Sequence, residues 1–165
     1  FKQIFYSIFL ILFLVLPALA QPMAQLPFHK PKYVIYDNDD HRDVYTDEYL
    51  LALAHLGHIN LLGIVSTYSP NEHEYNLFVE GRKEIVEKAA DSGLKNLPKV
   101  FRGTKNKLQK PASNKIEDTG IINIDASNFV IEQAKKVTKE NPLIFVTGGQ
   151  LTVIANAFLI DSTIA

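Results

Sequence analysis

The sequence contains no cysteine and carries almost no net charge. Without a Cys among its 165 residues, it can form neither a disulfide scaffold nor a thiolate metal site. The formal net charge is −1, and the basic residues do not form one stripe. The sequence therefore gives no sign of a positively charged surface that would bind nucleic acid or an anionic membrane. Any bound metal must use oxygen or imidazole ligands, and acidic clusters favour hard cations such as Ca²⁺ or Mg²⁺.

The first 20 residues have the pattern of a secretory signal peptide. Lys2 precedes an apolar run that ends in the small-x-small motif Ala18-Leu19-Ala20. We expect cleavage after Ala20, a secreted or periplasmic protein, and no membrane attachment after cleavage. A membrane anchor is the alternative, because the apolar run is near the lower limit for a span. Residues 21–32 are then a Pro-rich linker, and residues 33–165 form the domain.

Apolar runs and helical patterns alternate along the rest of the chain. Buried strands are predicted at residues 33–36, 61–66, 99–101 and 143–146, and helices at residues 47–56, 74–90, 126–140 and 151–160. Continuous apolar strands that alternate with helices indicate an α/β fold, a Rossmann-like open parallel sheet with helices on both faces. Four strands make a small open sheet, so we expect the domain to be truncated at its C-terminus.

An acidic cluster follows the first predicted strand. Asp37 and Asp39 are separated by one residue at the strand end, so their carboxylates can face one point if the extended geometry persists. Asp47 begins the next helix, where it can cap the first turn or help to hold a cation. The plainer interpretation makes Asp47 an N-cap and Asp40 and Asp43 solvated turn residues.

Polar groups also follow the second and fourth predicted strands. Ser66, Thr67 and Asn71 offer hydroxyl and amide groups that suit a polyhydroxyl ligand, or they are ordinary turn residues. The segment TGGQLT after the fourth strand permits close backbone approach, but it lacks the spacing of a phosphate-binding loop. In open parallel sheets, ligands bind at the carboxyl ends of the strands, where these groups lie.

Four segments together resemble the inosine–uridine-preferring nucleoside hydrolase family. VIYDNDDHRDVYTDEYLLALA is similar to the family's strand-DxDPGxDD-helix opening, and LLGIVSTYSPN is similar to its second strand and turn. LPKVFRGTKNKL and PLIFVTGGQLTVIANAFLID are similar to two later segments, in the same order.

This resemblance implies Ca²⁺-dependent hydrolysis of the N-glycosidic bond of a ribonucleoside or related N-riboside. It makes Asp39 a metal ligand and the general base that deprotonates the attacking water, with Asp37 in a supporting role and Asn71 on the ribose. The implied partner is a small-molecule nucleoside, with no nucleic acid, and a homo-oligomer is left open.

The second half of the opening motif departs from the family pattern. The adjacent Asp pair is missing, and the two ways of counting across the motif differ by three residues, which indicates a longer loop. Counting from the helix makes Asp47 the bidentate metal ligand, and Asp43 then takes the place of the ribose-binding Asp. The family's backbone-carbonyl ligand falls on Gly148, with Thr147 as the alternative.

The 165 residues contain no counterpart of the family's last metal-binding Asp or of its leaving-group His. The resemblance therefore predicts that this chain does not turn over nucleosides by itself. Two other functions fit parts of the pattern. One is a haloacid-dehalogenase-like phosphatase, which also places DxD at a strand end, and the other is a non-catalytic ribose- or nucleoside-binding relative.

Overall fold

The computed structural model describes residues 30–39, 44–67, 69 and 71–164. The predicted signal peptide, nearly all of the predicted linker and Asp43 lie outside the described residues. Within the described part, strands and helices alternate in the order β1, α1, β2, α2, β3, α3, β4, α4. The strands are β1 Lys32–Asn38, β2 Ile59–Ser66, β3 Lys99–Arg102 and β4 Leu143–Thr147. The helices are α1 Val44–His55, α2 Glu72–Asp91, α3 Asp125–Ala134 and α4 Thr152–Ile160.

The four strands form one parallel sheet in the order β3-β2-β1-β4. This confirms the predicted α/β fold. The chain places β2 and β3 on one side of β1 and then returns to place β4 on the other side. Strand order therefore reverses between β1 and β4, and the carboxyl ends of strands at such a switch point are where open α/β sheets usually bind ligands in a crevice.

Helices cover both faces of the sheet because successive strand residues point to opposite sides. On one face, Val34 and Ile64 pack with residues of α1 and α2, including Leu51. On the other face, Ile35 and Val65 pack with residues of α3 and α4. The sheet therefore lies between two apolar cores, as the continuous apolar strands predict.

Helix α3 is shorter than the sequence predicts. It ends at Ala134, and the chain then forms a turn closed by an isolated bridge between Thr138 and Asn141. The predicted continuation to Glu140 is wrong because it runs through the β-branched residues Val137 and Thr138, which lower helix propensity. The other helices and strands agree with their predicted positions to within a few residues at each end. No helix within the described residues is long and apolar enough to span a membrane.

Candidate functional site

Polar side chains converge at the carboxyl edge of the sheet. The edge is built by the last residues of β1 and β2, by the turns after β3 and β4, and by the first turns of α1 and α2. Backbone hydrogen bonds extend the strand pairing into these turns, from Thr67 N to Asn38 O at 3.0 Å and from Gly148 N to Asp37 O at 2.8 Å. The segments that follow the strands are therefore held at fixed positions relative to one another.

Asp37 is the most deeply buried carboxyl group of this edge. Its residue is 1% exposed, and neither side-chain oxygen accepts a hydrogen bond of ordinary geometry from a described residue. Burial raises the pKa of Asp37 to about 7. The Thr67 hydroxyl and the Arg82 charge lower this pKa by smaller amounts, and the Asp39 charge raises it. Buried carboxyl groups are normally hydrogen-bonded or paired, so Asp37 has acceptor capacity that the described residues do not fully use.

Asp39 is half-buried and is the first residue after β1. Its carboxylate lies directly against the backbone of Gly149: a Cβ atom at Gly149 would lie 2.5 Å from Oδ1 and 2.7 Å from Oδ2. The neighbouring Gly148 is less tightly packed: a Cβ atom there would lie 3.1 Å from Cγ of Asn38. The two glycines after β4 thus leave room for the β1 side chains, and they bring the Asp39 carboxylate into the crevice between β1 and β4.

Asp47 lies in the first turn of α1 and is 2% exposed. Its Oδ2 atom forms an ion pair with Nε of Arg82 at 3.2 Å, and both side chains are almost fully buried. The nitrogen and oxygen are not aligned as a hydrogen bond, so the contact is mainly electrostatic. The same guanidinium donates a hydrogen bond from Nη1 to the Ser66 hydroxyl at 3.0 Å. Arg82 therefore joins α2 to the start of α1 and to the end of β2.

Two buried hydroxyl groups line the edge beside β2 and β3. The side-chain oxygens of Thr67 and Thr104 have no hydrogen-bond partner among the described residues, and both residues are at most 1% exposed. Gly103 fits beside Thr67, since a Cβ atom at Gly103 would lie 2.1 Å from the Thr67 hydroxyl oxygen. Tyr75 donates its hydroxyl to the Gly103 carbonyl at 2.7 Å, which fixes the turn after β3 against α2.

Asn71 is the N-cap of α2. Its side-chain oxygen accepts hydrogen bonds from the backbone N–H groups of His73 at 2.9 Å and Glu74 at 3.4 Å. An Asn at this position satisfies helix N–H groups that would otherwise lack a partner. The ribose-binding role of Asn71 stays a prediction. Capping uses the side-chain oxygen of Asn71, so the side-chain amide nitrogen is the group that could contact a ligand.

The predicted site residues fall into two groups. The end of β1 with Asp37 and Asp39 lies beside the turn after β4, whereas Asp47 is held by Arg82 at the start of α1. The Arg82 charge also acts on Asp37, so the two groups are neighbours. No set of three or more His, Asp or Glu side chains within the described ranges is grouped closely enough to hold a metal ion. Two sets of roles therefore stay predictions. One is metal binding by Asp39, Asp47 and Gly148, or by Thr147 in place of Gly148, and the other is ribose binding by Asp43.

Sequence reasoning missed Arg82, although the sequence carries a signal for it. The buried residues of α2 are Tyr75, Phe78, Val79 and Arg82, which follow the i, i+3, i+4, i+7 spacing of a core-facing helical stripe. An arginine on such a stripe must have a buried counter-charge, because an unpaired charge is rarely buried. That requirement points to a carboxylate at the end of a neighbouring element.

The fold is similar to that of a plant nucleoside hydrolase, the PpNRh1 enzyme, with a TM-score of 0.53 and 17% sequence identity. The match covers 82% of this chain and 45% of the plant enzyme, so the chain spans less than half of that structure. No protein-family model matches the sequence, and no curated protein sequence matches it. The comparison therefore establishes a nucleoside-hydrolase-like α/β fold.

Proposed function

We propose that this chain carries the ribose-binding half of a metal-dependent N-ribohydrolase site. The observation that carries the proposal is the position of Asp39. Its carboxylate lies in the crevice where strand order reverses, against Gly149 and close enough to the buried Asp37 to raise the pKa of that group. Among α/β folds this crevice is the usual ligand site, and the similar plant structure is a nucleoside hydrolase.

The residues present fit a hard cation in their chemistry. The chain has no Cys, and the groups at the crevice are carboxylate and carbonyl oxygens, which are the ligands that Ca²⁺ prefers. The Asp37 oxygens supply acceptor capacity at this edge that donors among the described residues leave largely unused. The residues that would hold Ca²⁺ are Asp39 and the backbone carbonyl of Gly148, with Thr147 as the alternative, together with Asp47, whose carboxylate would have to exchange its contact with Arg82 for the ion.

The chain's own side chains have distinct roles in the proposed reaction. Asp39 accepts the proton of the water that attacks the anomeric carbon, while Asp43 and Asn71 bind ribose hydroxyls. Bound Ca²⁺ would supply positive charge that makes the water more acidic and orients the sugar. Asp37 supports the loop that carries Asp39. Arg82 holds Asp47 and Ser66, so it positions the first turn of α1 relative to β2.

Two measurements on the full 165-residue chain test this proposal: calorimetry with inosine and uridine, and release of free ribose. We expect nucleoside binding that requires Ca²⁺ and is lost with EDTA. Ribose release is measured on the same samples, and its appearance would show that these residues suffice for turnover. Asp39→Asn is expected to abolish Ca²⁺-dependent binding, whereas Glu48→Gln, an exposed position on α1, is expected to leave it unchanged.

Three outcomes would contradict parts of the proposal. Equal nucleoside binding in EDTA would show that binding needs no metal. Unchanged binding by Asp39→Asn would contradict the assignment of Asp39 to the site. Phosphate release from an aryl phosphate, without nucleoside binding, would favour the phosphatase alternative instead.

We also propose that residues 1–20 direct export, that residues 21–32 are a linker and that residues 33–165 are the N-terminal part of a nucleoside-hydrolase-like domain. If so, the N-terminal residue of the exported protein is Gln21. Mass spectrometry of the protein recovered from the culture medium or periplasm tests this. An intact N-terminus on a membrane-bound product would favour the anchor alternative.

A further inference from the structure

Three buried charged side chains lie close together at the carboxyl edge of the sheet. Among the described residues, the buried charged side chains are those of Asp37, Asp47 and Arg82, and each residue is at most 2% exposed. They come from β1, α1 and α2, three elements that build this edge. One positive charge is therefore buried beside carboxylates that include a proposed ligand of Ca²⁺, although charged groups are rarely buried.

The guanidinium of Arg82 is held at two points. Its Nε atom lies 3.2 Å from Oδ2 of Asp47 in α1, and Nη1 donates a hydrogen bond to the Ser66 hydroxyl of β2 at 3.0 Å. The side chain comes from the core-facing stripe of α2, which also carries Phe78 and Val79. Helical side chains tilt towards the N-terminus of their helix, so the stem of Arg82 runs along the core towards the edge.

The positive charge at this position is permanent. An arginine side chain is not deprotonated in proteins, and salt screens a buried charge much less than an exposed one. The Arg82 charge also acts on Asp37, a second carboxyl group of the edge. Arg82 therefore supplies positive charge to the same carboxylates that would receive a metal ion.

Arg82 already contacts the carboxylate that a cation would need. Its Nε atom lies against Asp47, and two positive charges at such short range repel strongly where water is scarce. The guanidinium has little room to withdraw, because Ser66 and the packed stripe of α2 hold it in place. A cation that binds Asp47 must therefore work against Arg82.

We propose that Arg82 competes with the bound cation for Asp47 and so lowers the affinity of the site for Ca²⁺. This inference rests on the proposed function, because it takes Asp47 as a metal ligand. Arg82 is a positioning residue: it holds Asp47 in the metal-free protein and loses that contact when the ion binds. It sets how tightly the ion is held, without touching the ribose.

Calcium titration of the full 165-residue chain tests the competition. Arg82→Met keeps an unbranched stem but removes the charge, and we expect it to bind Ca²⁺ at least about tenfold more tightly than the parent in calorimetry. Arg82→Lys keeps the charge and should stay within about threefold of the parent. A merely structural role predicts the opposite result for Arg82→Met, because loosened helices would misplace Asp47 and weaken Ca²⁺ binding.

Lys83→Met is the matched control on the same helix. Lys83 is exposed and pairs with Glu80 at 3.0 Å, so this variant loses the same charge away from Asp47, and its Ca²⁺ affinity should equal that of the parent. Thermal unfolding gives a second reading for the less stable Arg82→Met. The same Ca²⁺ concentration should raise its melting temperature by more than that of the parent, because tighter binding stabilises the folded state more.

The parent protein itself provides a measurement that no substitution can disturb. The Nε–H resonance of Arg82, identified by its loss in the spectrum of Arg82→Lys, should shift when Ca²⁺ saturates the protein, because Asp47 then leaves this group. An unchanged resonance at saturation would show that the ion binds without displacing the Asp47 contact, which would overturn the inference.

The other outcomes separate this inference from the proposed function. Equal or weaker Ca²⁺ binding by Arg82→Met would overturn the competition and leave the proposed metal site standing. No Ca²⁺ binding by either protein would overturn both the metal site and the competition. Equally tightened binding by Lys83→Met would show a general effect of net charge, which would also overturn the competition at Asp47.

Discussion

At the scale of single residues, Asp37 combines deep burial with an unused hydrogen-bonding capacity. The carboxyl group lies at the end of a central strand, and burial raises its pKa to about 7. In the unfolded chain the same group ionises near pH 4. Between these two values the folded protein holds a proton that the unfolded chain releases, so folding stability falls as pH rises.

This difference predicts the pH dependence of the metal-free protein. In EDTA, we expect the free energy of unfolding to decrease from about pH 4 to about pH 7 by up to about 4 kcal/mol through Asp37. Asp37→Asn cannot ionise and is expected to flatten this dependence. Urea unfolding at a series of pH values measures both proteins, and parallel curves would contradict the assignment.

The small size of Gly149 also matters for the proposed site. An added Cβ atom at this position would overlap the Asp39 carboxylate, whereas a Cβ at Gly120 would meet nothing within 4 Å. We predict that Gly149→Ala displaces Asp39 and weakens Ca²⁺-dependent nucleoside binding by about tenfold or more. Gly120→Ala is the matched control and should bind as the parent does. Calorimetry compares the two variants, and equal affinities would show that Asp39 is not positioned by this contact.

The positions of single site residues could be predicted from the sequence only where the pattern was local. Asp37 and Asp39 follow an apolar strand, so their place at the carboxyl edge of the sheet could be predicted. The Arg82 contact could not be predicted from neighbouring residues, because its partner Asp47 is on another helix and meets it only after both helices pack on the sheet. Asn71 is a helix N-cap, as the plainer turn interpretation of its motif allows, and its ribose-binding role stays a prediction.

At the scale of helices and strands, the buried pair of Arg82 and Asp47 connects α1 with α2. Both side chains are at most 3% exposed, so removing either charge takes away a close ion pair in a buried position. Such losses cost much more than the loss of an exposed ion pair. The pair therefore fixes which turn of α2 faces the start of α1.

A double-mutant cycle tests this connection. We expect Asp47→Asn and Arg82→Met each to lower the free energy of unfolding by about 3–5 kcal/mol. The double variant should lose clearly less than the sum, because both substitutions remove the same ion pair. Glu84→Gln, at an exposed pair with Lys88, should change stability very little. Additive losses at Asp47 and Arg82, measured by urea unfolding, would show that the two side chains do not interact.

Element positions could largely be predicted from the sequence, with one exception that has a physical cause. Apolar runs marked all four strands, and the periodic pattern marked all four helices. Helix α3 ends early because its predicted last turns contain β-branched residues, and the chain there leaves the helix to form a turn before β4. The apolar pattern alone did not distinguish a helix from the turn that follows it.

At the scale of the whole molecule, one sheet separates two apolar cores. Ile35 of β1 belongs to the core beneath α3 and α4, and Ile64 of β2 belongs to the core beneath α1 and α2. Both side chains are fully buried. Because the strands contribute alternate residues to both cores, neither core can be disrupted without affecting the sheet.

This arrangement predicts a single cooperative unfolding transition. We expect Ile35→Ala and Ile64→Ala each to cost about 2–5 kcal/mol and to shift the same transition. Ile121→Ala, at a side chain that is 61% exposed, should have little effect. Circular dichroism and tyrosine fluorescence follow the two variants during thermal unfolding. Separate transitions for the two cores would contradict the prediction.

The parallel order of the strands also has a consequence for the order of folding. β1 pairs with β2, its next strand along the chain, but its other neighbour β4 comes from near the opposite end of the described chain. Closing the longer loop costs more chain entropy, and slow folding accompanies such distant contacts. We therefore infer that β1, α1 and β2 assemble first and that β4 docks last. The crevice that holds Asp39 and Gly149 would then be among the final parts of the protein to form.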